Sequence, residues 1–174
     1  DYVLVHAGFA ISVLDEAEAA IPVFAELAEA TGPQPDVGER LENLFERTGR
    51  FGERAGQLSR RRRGRAATSP EAGALDLRRA EILLDQLGLA GQAAALFRDL
   101  HEWEPESQRL RDGLERALRQ SNDVAGLCEF LEVRSAEEQD AEARARLELE
   151  RATLLEEMLH REEEAQRLLT ALAD

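Results

Sequence analysis

Residues 41–61, LENLFERTGRFGERAGQLSRR, line up with residues 114–134, LERALRQSNDVAGLCEFLEVR, at an offset of 73. A second pair, LDLRRAEILLDQLG at 75–88 and LELERATLLEEMLH at 147–160, lines up at an offset of 72, a single position having been lost in a loop. Self-similarity at a long fixed period marks a stacked repeat, in which each unit covers an apolar face that its neighbour cannot bury alone. Everything after residue 39 reads as helix, with turns expected near Gly49, Gly88, Asn122 and His160, at alternating longer and shorter intervals. Two repeats of about 73 residues, each holding two helical hairpins, therefore account for 40–174.

The hairpin at 74–107 carries the most specific pattern. Its first helix has Leu77, Ala80 and Leu84, Gly88 stands at the turn, and the second helix has Ala93, Phe97 and Leu100 before Pro105 closes it. Ala152, Ala165, Leu169 and Leu172 repeat much of this in the last hairpin. These positions resemble the tetratricopeptide repeat (TPR): small residues where helices touch, an aromatic on the inner face of the second helix, Pro at the exit. The family usually has Trp where Leu77 and Leu149 stand. The resemblance implies a mainly α, TPR-like array of antiparallel helical hairpins that binds protein partners.

The chain has 174 residues, 43% apolar and 33% charged, with a formal charge of -14. That field repels phosphate, so neither nucleic acid nor an anionic membrane is expected as a partner. All 22 cationic residues are Arg. Cys128 is the only cysteine, which excludes an intramolecular disulfide and fits a reducing compartment. The apolar run from Tyr2 to Leu14 is too short to span a bilayer and lacks the basic flank of a signal peptide, so a cytoplasmic location is expected. The first residue is not Met and the last helical pattern stops at LLTALAD (168–174), leading to the expectation of a fragment without its capping helix.

Residues 1–39 differ in composition: they hold eight acids and no Arg. Val3, Val5, Phe9, Ile11 and Val13 alternate with Tyr2, Leu4, His6 and Ala10, a strand pattern in which Gly8 marks a bend. Asp15 followed by Glu18 suggests a capping box opening a helix with Ile21, Phe24, Leu27 and Ala28 on its apolar stripe. Pro22 interrupts that stripe, so the helix either kinks or restarts there. TGPQPDVGE (31–39) reads as a linker between residues 1–30 and the repeats. A lone strand cannot satisfy its backbone, so its sheet is expected elsewhere.

DYVLVHAGFAISVLDEAEA (1–19) resembles the C-terminal half of HypC/HupF-type hydrogenase assembly chaperones, in which a small β-barrel ends in such a strand and an acidic helix follows. The likeness covers about residues 1–30 and implies an accessory role in nickel–iron hydrogenase maturation, with a large-subunit precursor or a maturation protein as partner. His6 stands where that family's strand has its histidine. The family's essential iron-binding cysteine lies at its mature N-terminus, a segment this sequence does not include, and Cys128 is no substitute; no cofactor is expected in this chain. The alternative is a general TPR-like scaffold unrelated to hydrogenases, with a chimeric or misjoined N-terminus.

Other side chains have both a sharp and a plain reading. His6 is a partner-docking residue by resemblance, or a half-exposed strand histidine. RRRRGR (60–65) holds Arg60, Arg61, Arg62 and Arg63, which either complement a helix dipole at a solvated helix end or anchor an acidic partner. His160 with Glu156 or Glu164 has the spacing of neighbours on a helix, but two ligands do not make a metal site. Cys128 lies on an apolar face with no nearby histidine to activate it, and Trp103 reads as core packing near Pro105. No phosphate loop, paired-Cys metal spacing or catalytic triad occurs, and an enzyme is not expected.

Overall fold

The structure is a computed structural model that describes residues 17–32, 34–66 and 69–173. Among these residues it has nine helices and no strand: α1 Ala17–Thr31, α2 Pro35–Arg47, α3 Phe51–Arg62, α4 Pro70–Asp85, α5 Ala90–Trp103, α6 Gln108–Gln120, α7 Val124–Glu137, α8 Ala141–Glu157 and α9 Glu162–Ala173. The strand expected over 3–13, with Gly8, and the cap at Asp15 lie outside the described residues. Two compact units divide at Glu104 and Pro105. Within each, every helix packs against the next, α1 to α5 in the first and α6 to α9 in the second.

The stretch expected as a linker, 31–39, contains the first turn of α2. Pro35 sits at the helix start, where a missing N–H leaves no bond unmade, so this proline begins a helix rather than holding two domains apart. Gly32, at φ 73°, turns the chain back. Ala17, Ala20, Ile21 and Phe24 of α1 then share one core with Val37, Leu41, Leu44 and Phe45 of α2, and Leu27 and Ala28 pack against it. The helix after the expected strand thus belongs to the repeat core. It runs through Pro22 without restarting there.

The duplication is visible bond by bond at the turns. Gly49, Gly88, Asn122 and His160 all have positive φ, between 55° and 68°. After α2, Arg50 N–H donates to Phe45 O at 2.8 Å; at the equivalent turn after α6, Asp123 N–H donates to Leu118 O at 3.0 Å. After α4, Leu89 N–H donates to Leu83 O at 2.8 Å; at the equivalent turn after α8, Arg161 N–H donates to Leu155 O at 2.8 Å. These bonds satisfy carbonyls that a helix end leaves open. Helix starts are fixed locally as well. Ser69 Oγ accepts from Ala72 N–H at 3.1 Å to open α4, and Asp123 accepts from Gly126 N–H at 3.0 Å to open α7.

Ala80, Leu84, Ala93 and Phe97 are buried in the first unit and Ala152 and Ala165 in the second. Leu77 is partly exposed, and Pro105 is exposed just beyond the C-cap of α5. Leu169, the counterpart of Phe97, is not covered: it is 38% exposed, with Leu149 and Leu172 also open. Leu168 is the residue that packs towards Ala165 and α8, and Leu169 is turned about 100° from it round the helix. Trp103 is likewise exposed rather than core, at 60%. It ends α5 well past the buried Phe97, about 120° round the helix from it.

Candidate functional site

The arginine run lies where α3 ends. Arg60, Arg61 and Arg62 form the last turn and Arg63 is the C-cap. Arg61 reaches back across α2: one Nη donates to Glu42 Oε1 and the other to Glu39 Oε1 at 3.0 Å. Arg78 of α4 donates to the other oxygen, Glu42 Oε2. Glu42 has no exposed surface, so both carboxylate oxygens are satisfied by cations in place of water. Arg62 is tied to Asp76 Oδ2 at 2.6 Å and to the carbonyl of Arg65 at 3.0 Å. Arg61 and Arg62 are therefore structural ties, whereas Arg60 and Arg63 are exposed.

Gly38 lets Arg61 lie over α2. A Cβ at that position would stand 2.8 Å from Arg61 Cδ and 3.3 Å from its Nε. Beside this crossing, within the first unit, is a cleft of about 380 Å³. Its apolar floor includes Ala25, Ala28, Leu41 and Phe45, and its polar lining includes Gln57, Arg60, Arg65 and Glu29. Gln57 is 7% exposed, and its amide has no hydrogen-bond partner among the described residues. A concave apolar floor with a few converging polar groups is the usual make-up of a ligand site.

The second unit repeats part of this network. Glu115 and Arg134, the repeat counterparts of Glu42 and Arg61, are paired at 3.1 Å. The third member differs: Arg119 of the same helix binds Glu115 at 2.7 Å and Glu150 at 2.6 Å. Glu150 stands at the repeat position of Arg78, so that corner has the opposite charge. Glu150 first, then Glu115, raises the pKa of Arg119. At Gly38's repeat position stands Arg111, which donates to the Glu106 carbonyl at 3.2 Å. Ser135, itself buried, donates to the carboxylate of Glu148 between α7 and α8.

Of the other candidates, His6 lies outside the described residues. Cys128 is buried against Ala152, Leu155 and Ala165, and this burial pushes its thiol pKa up, away from a nucleophilic thiolate. His160 is exposed at its turn and Glu164 pairs with Arg161 Nε at 2.9 Å; no group of three or more His, Cys, Asp or Glu is placed to hold a metal among the described residues. No helix among them is long and apolar enough to cross a membrane. Sequence reasoning missed Glu42, Gly38 and Gln57 as site residues. For Glu42 a signal existed, since Glu is second and Arg last in both stretches at 41–61 and 114–134.

The chain matches no protein-family model and no curated protein. Solved structures do resemble it. A Podosopora anserina protein of nearly identical TPR-like repeats aligns at 17% identity and TM-score 0.53, covering 99% of this chain and 92% of that one. A single-substitution variant of that protein aligns at TM-score 0.51. MamA from Desulfovibrio magneticus RS-1 aligns at 11% identity and TM-score 0.53, with the same coverage of 99% and 92%. The fold is that of a TPR-like helical repeat.

Proposed function

We propose that this chain is a non-catalytic scaffold that binds protein segments on its helical hairpins, acting in the cytoplasm and without a cofactor of its own. The duplication supports this reading most directly: the same turn bonds recur at aligned positions of the two repeats, and the fold is TPR-like. Stacked hairpins of this kind present extended surfaces suited to peptide or helix partners. Selection of a random-peptide display library on the full chain, followed by calorimetry, tests it. Saturable binding with a negative heat-capacity change is expected. A library that yields no saturable binder would refute the scaffold reading.

A narrower reading, an accessory role in nickel–iron hydrogenase maturation, rests on the resemblance of residues 1–19. It expects the full chain to bind a hydrogenase large-subunit precursor or its maturation partner, and His6→Ala to weaken that contact. Equal retention of unrelated proteins would leave only the general scaffold.

A further inference from the structure

We infer that the cleft between α1, α2 and the end of α3 takes an acidic peptide segment, seating one apolar side chain on its floor and a carboxylate against Arg60 and Arg65. The inference rests on the scaffold reading and narrows it to a site and a partner chemistry. Three observations carry it. First, Ala25, Ala28, Leu41 and Phe45 line a space of about 380 Å³, within the range of small ligand sites and roomy enough for a leucine or phenylalanine side chain with some backbone.

Second, the charges around the cleft are unequal. Arg61 is neutralised by Glu39 and Glu42, but Arg60 and Arg65 have no ion-pair partner among the described residues. Only Glu29 opposes them in the described lining. A chain with a net charge of -14 thus presents, at one apolar cleft, two guanidinium groups that no carboxylate among the described residues neutralises. Electrostatic complementarity there selects an acidic segment and excludes a basic one.

Third, Gln57 places an amide in the lining while 7% exposed, without a hydrogen-bond partner among the described residues. The amide is open to the cleft, so it is free to donate to a carboxylate or carbonyl, or to accept from a peptide N–H, of a segment seated there; beside it the Nε of Arg61 in the same lining is buried without a partner among the described residues. The Glu42 tie holds the cleft wall, because Arg61 is itself a lining residue.

The test uses the full chain and a fluorescein-labelled peptide of alternating leucine and glutamate, read by fluorescence anisotropy. The control probe replaces every glutamate with glutamine. The acidic peptide is expected to bind at least about tenfold more tightly than the control at low ionic strength, and the difference to shrink in about 1 M salt, where screening extends over only about 3 Å. Arg60→Glu with Arg65→Glu is expected to abolish that preference. Gln57→Leu, close in volume but without the amide, is expected to weaken binding about tenfold with no loss of the urea midpoint. Arg144→Glu with Arg146→Glu, two exposed changes of the same total charge in the other unit, is expected to leave affinity unchanged. If library-selected peptides bind but the cleft variants leave their affinity intact, the cleft proposal falls and the scaffold reading stands. If no peptide of any kind binds, both fall. A concentration-dependent dimer lost with Arg60→Glu and Arg65→Glu would place a second copy of this chain in the cleft and overturn the acidic-peptide assignment.

Discussion

Glu42 on α2 and Arg61 on α3 form an ion pair across the first hairpin, and the pair returns in the second repeat as Glu115 and Arg134 at 3.1 Å. The two copies differ in solvation. Glu42 is wholly buried, whereas the Glu115 side chain is 23% exposed. Removing a partner from a buried charge strands it in low dielectric; removing one from a solvated pair lets water replace it. Arg61→Met leaves one buried oxygen of Glu42 without a partner while Arg78 keeps the other, and is therefore expected to destabilise the chain by about 2 kcal/mol. Arg134→Met is expected to cost less than about 1 kcal/mol. Glu42→Leu should be milder than Arg61→Met, because Arg61 keeps Glu39 and Arg78 is 40% exposed. Urea unfolding of the three variants checks the order; equal losses at Arg61 and Arg134 would contradict it.

This pair also shows what could be read from sequence. Both quoted stretches put Glu second and Arg last, so the tie was present in the alignment, yet spacing alone does not say that two side chains so far apart in the chain meet. The turns were legible because a positive φ selects Gly or Asn, and the duplication extended the pattern to His160. Pro35 misled for a physical reason: proline ends a helix from within but begins one at the first position. Trp103 was misplaced because an apolar residue near a helix end reads as core until its angle to a buried neighbour is known. The cleft was not legible at all. Gln57, Gly38 and Arg65 come together only through packing of α1, α2 and the end of α3.

Gly38 sits inside α2, where alanine ordinarily gains about 1 kcal/mol of helix stability. Here a Cβ would press on Arg61 Cδ at 2.8 Å, and the guanidinium beyond it is pinned by two carboxylates. Gly38→Ala is expected to destabilise the chain by about 1–2 kcal/mol through loosening of the Glu42 tie. Once Arg61 is already alanine, the same substitution should stabilise by about 0.5–1 kcal/mol. The reversal of sign is the measurement. If Gly38→Ala stabilises in both backgrounds, Arg61 does not need the space.

His160 holds φ 55° at the turn where the first repeat has Gly88 at φ 64°. A side chain in that conformation costs on the order of 1 kcal/mol, and His160 is exposed, with no packing to lose. His160→Gly is expected to stabilise the chain by about 0.5–1 kcal/mol. The reverse change, Gly88→Ala, should destabilise it by about 1 kcal/mol. A loss of stability in His160→Gly would mean that the side chain has a role the turn geometry does not require.

Cys128 gives a pH dependence of definite sign. Burial first of all raises its thiol pKa, with Arg151 and Arg161 partly opposing the shift. In the unfolded chain the thiol ionises near its ordinary value of about 8.5, while the folded chain still holds the proton. Its contribution to stability is thus fully present below about pH 8 and is lost as pH rises through the interval between the two values. Wild-type stability minus that of Cys128→Ala should fall as pH rises above about 8, by less than about 1.4 kcal/mol per pH unit, the limit for one group. Iodoacetamide at about pH 8 should react far more slowly with the native chain than with the urea-unfolded one. Rapid native alkylation, or a difference that grows with pH, would mean that the thiol faces solvent and is not part of the core with Ala152 and Leu155.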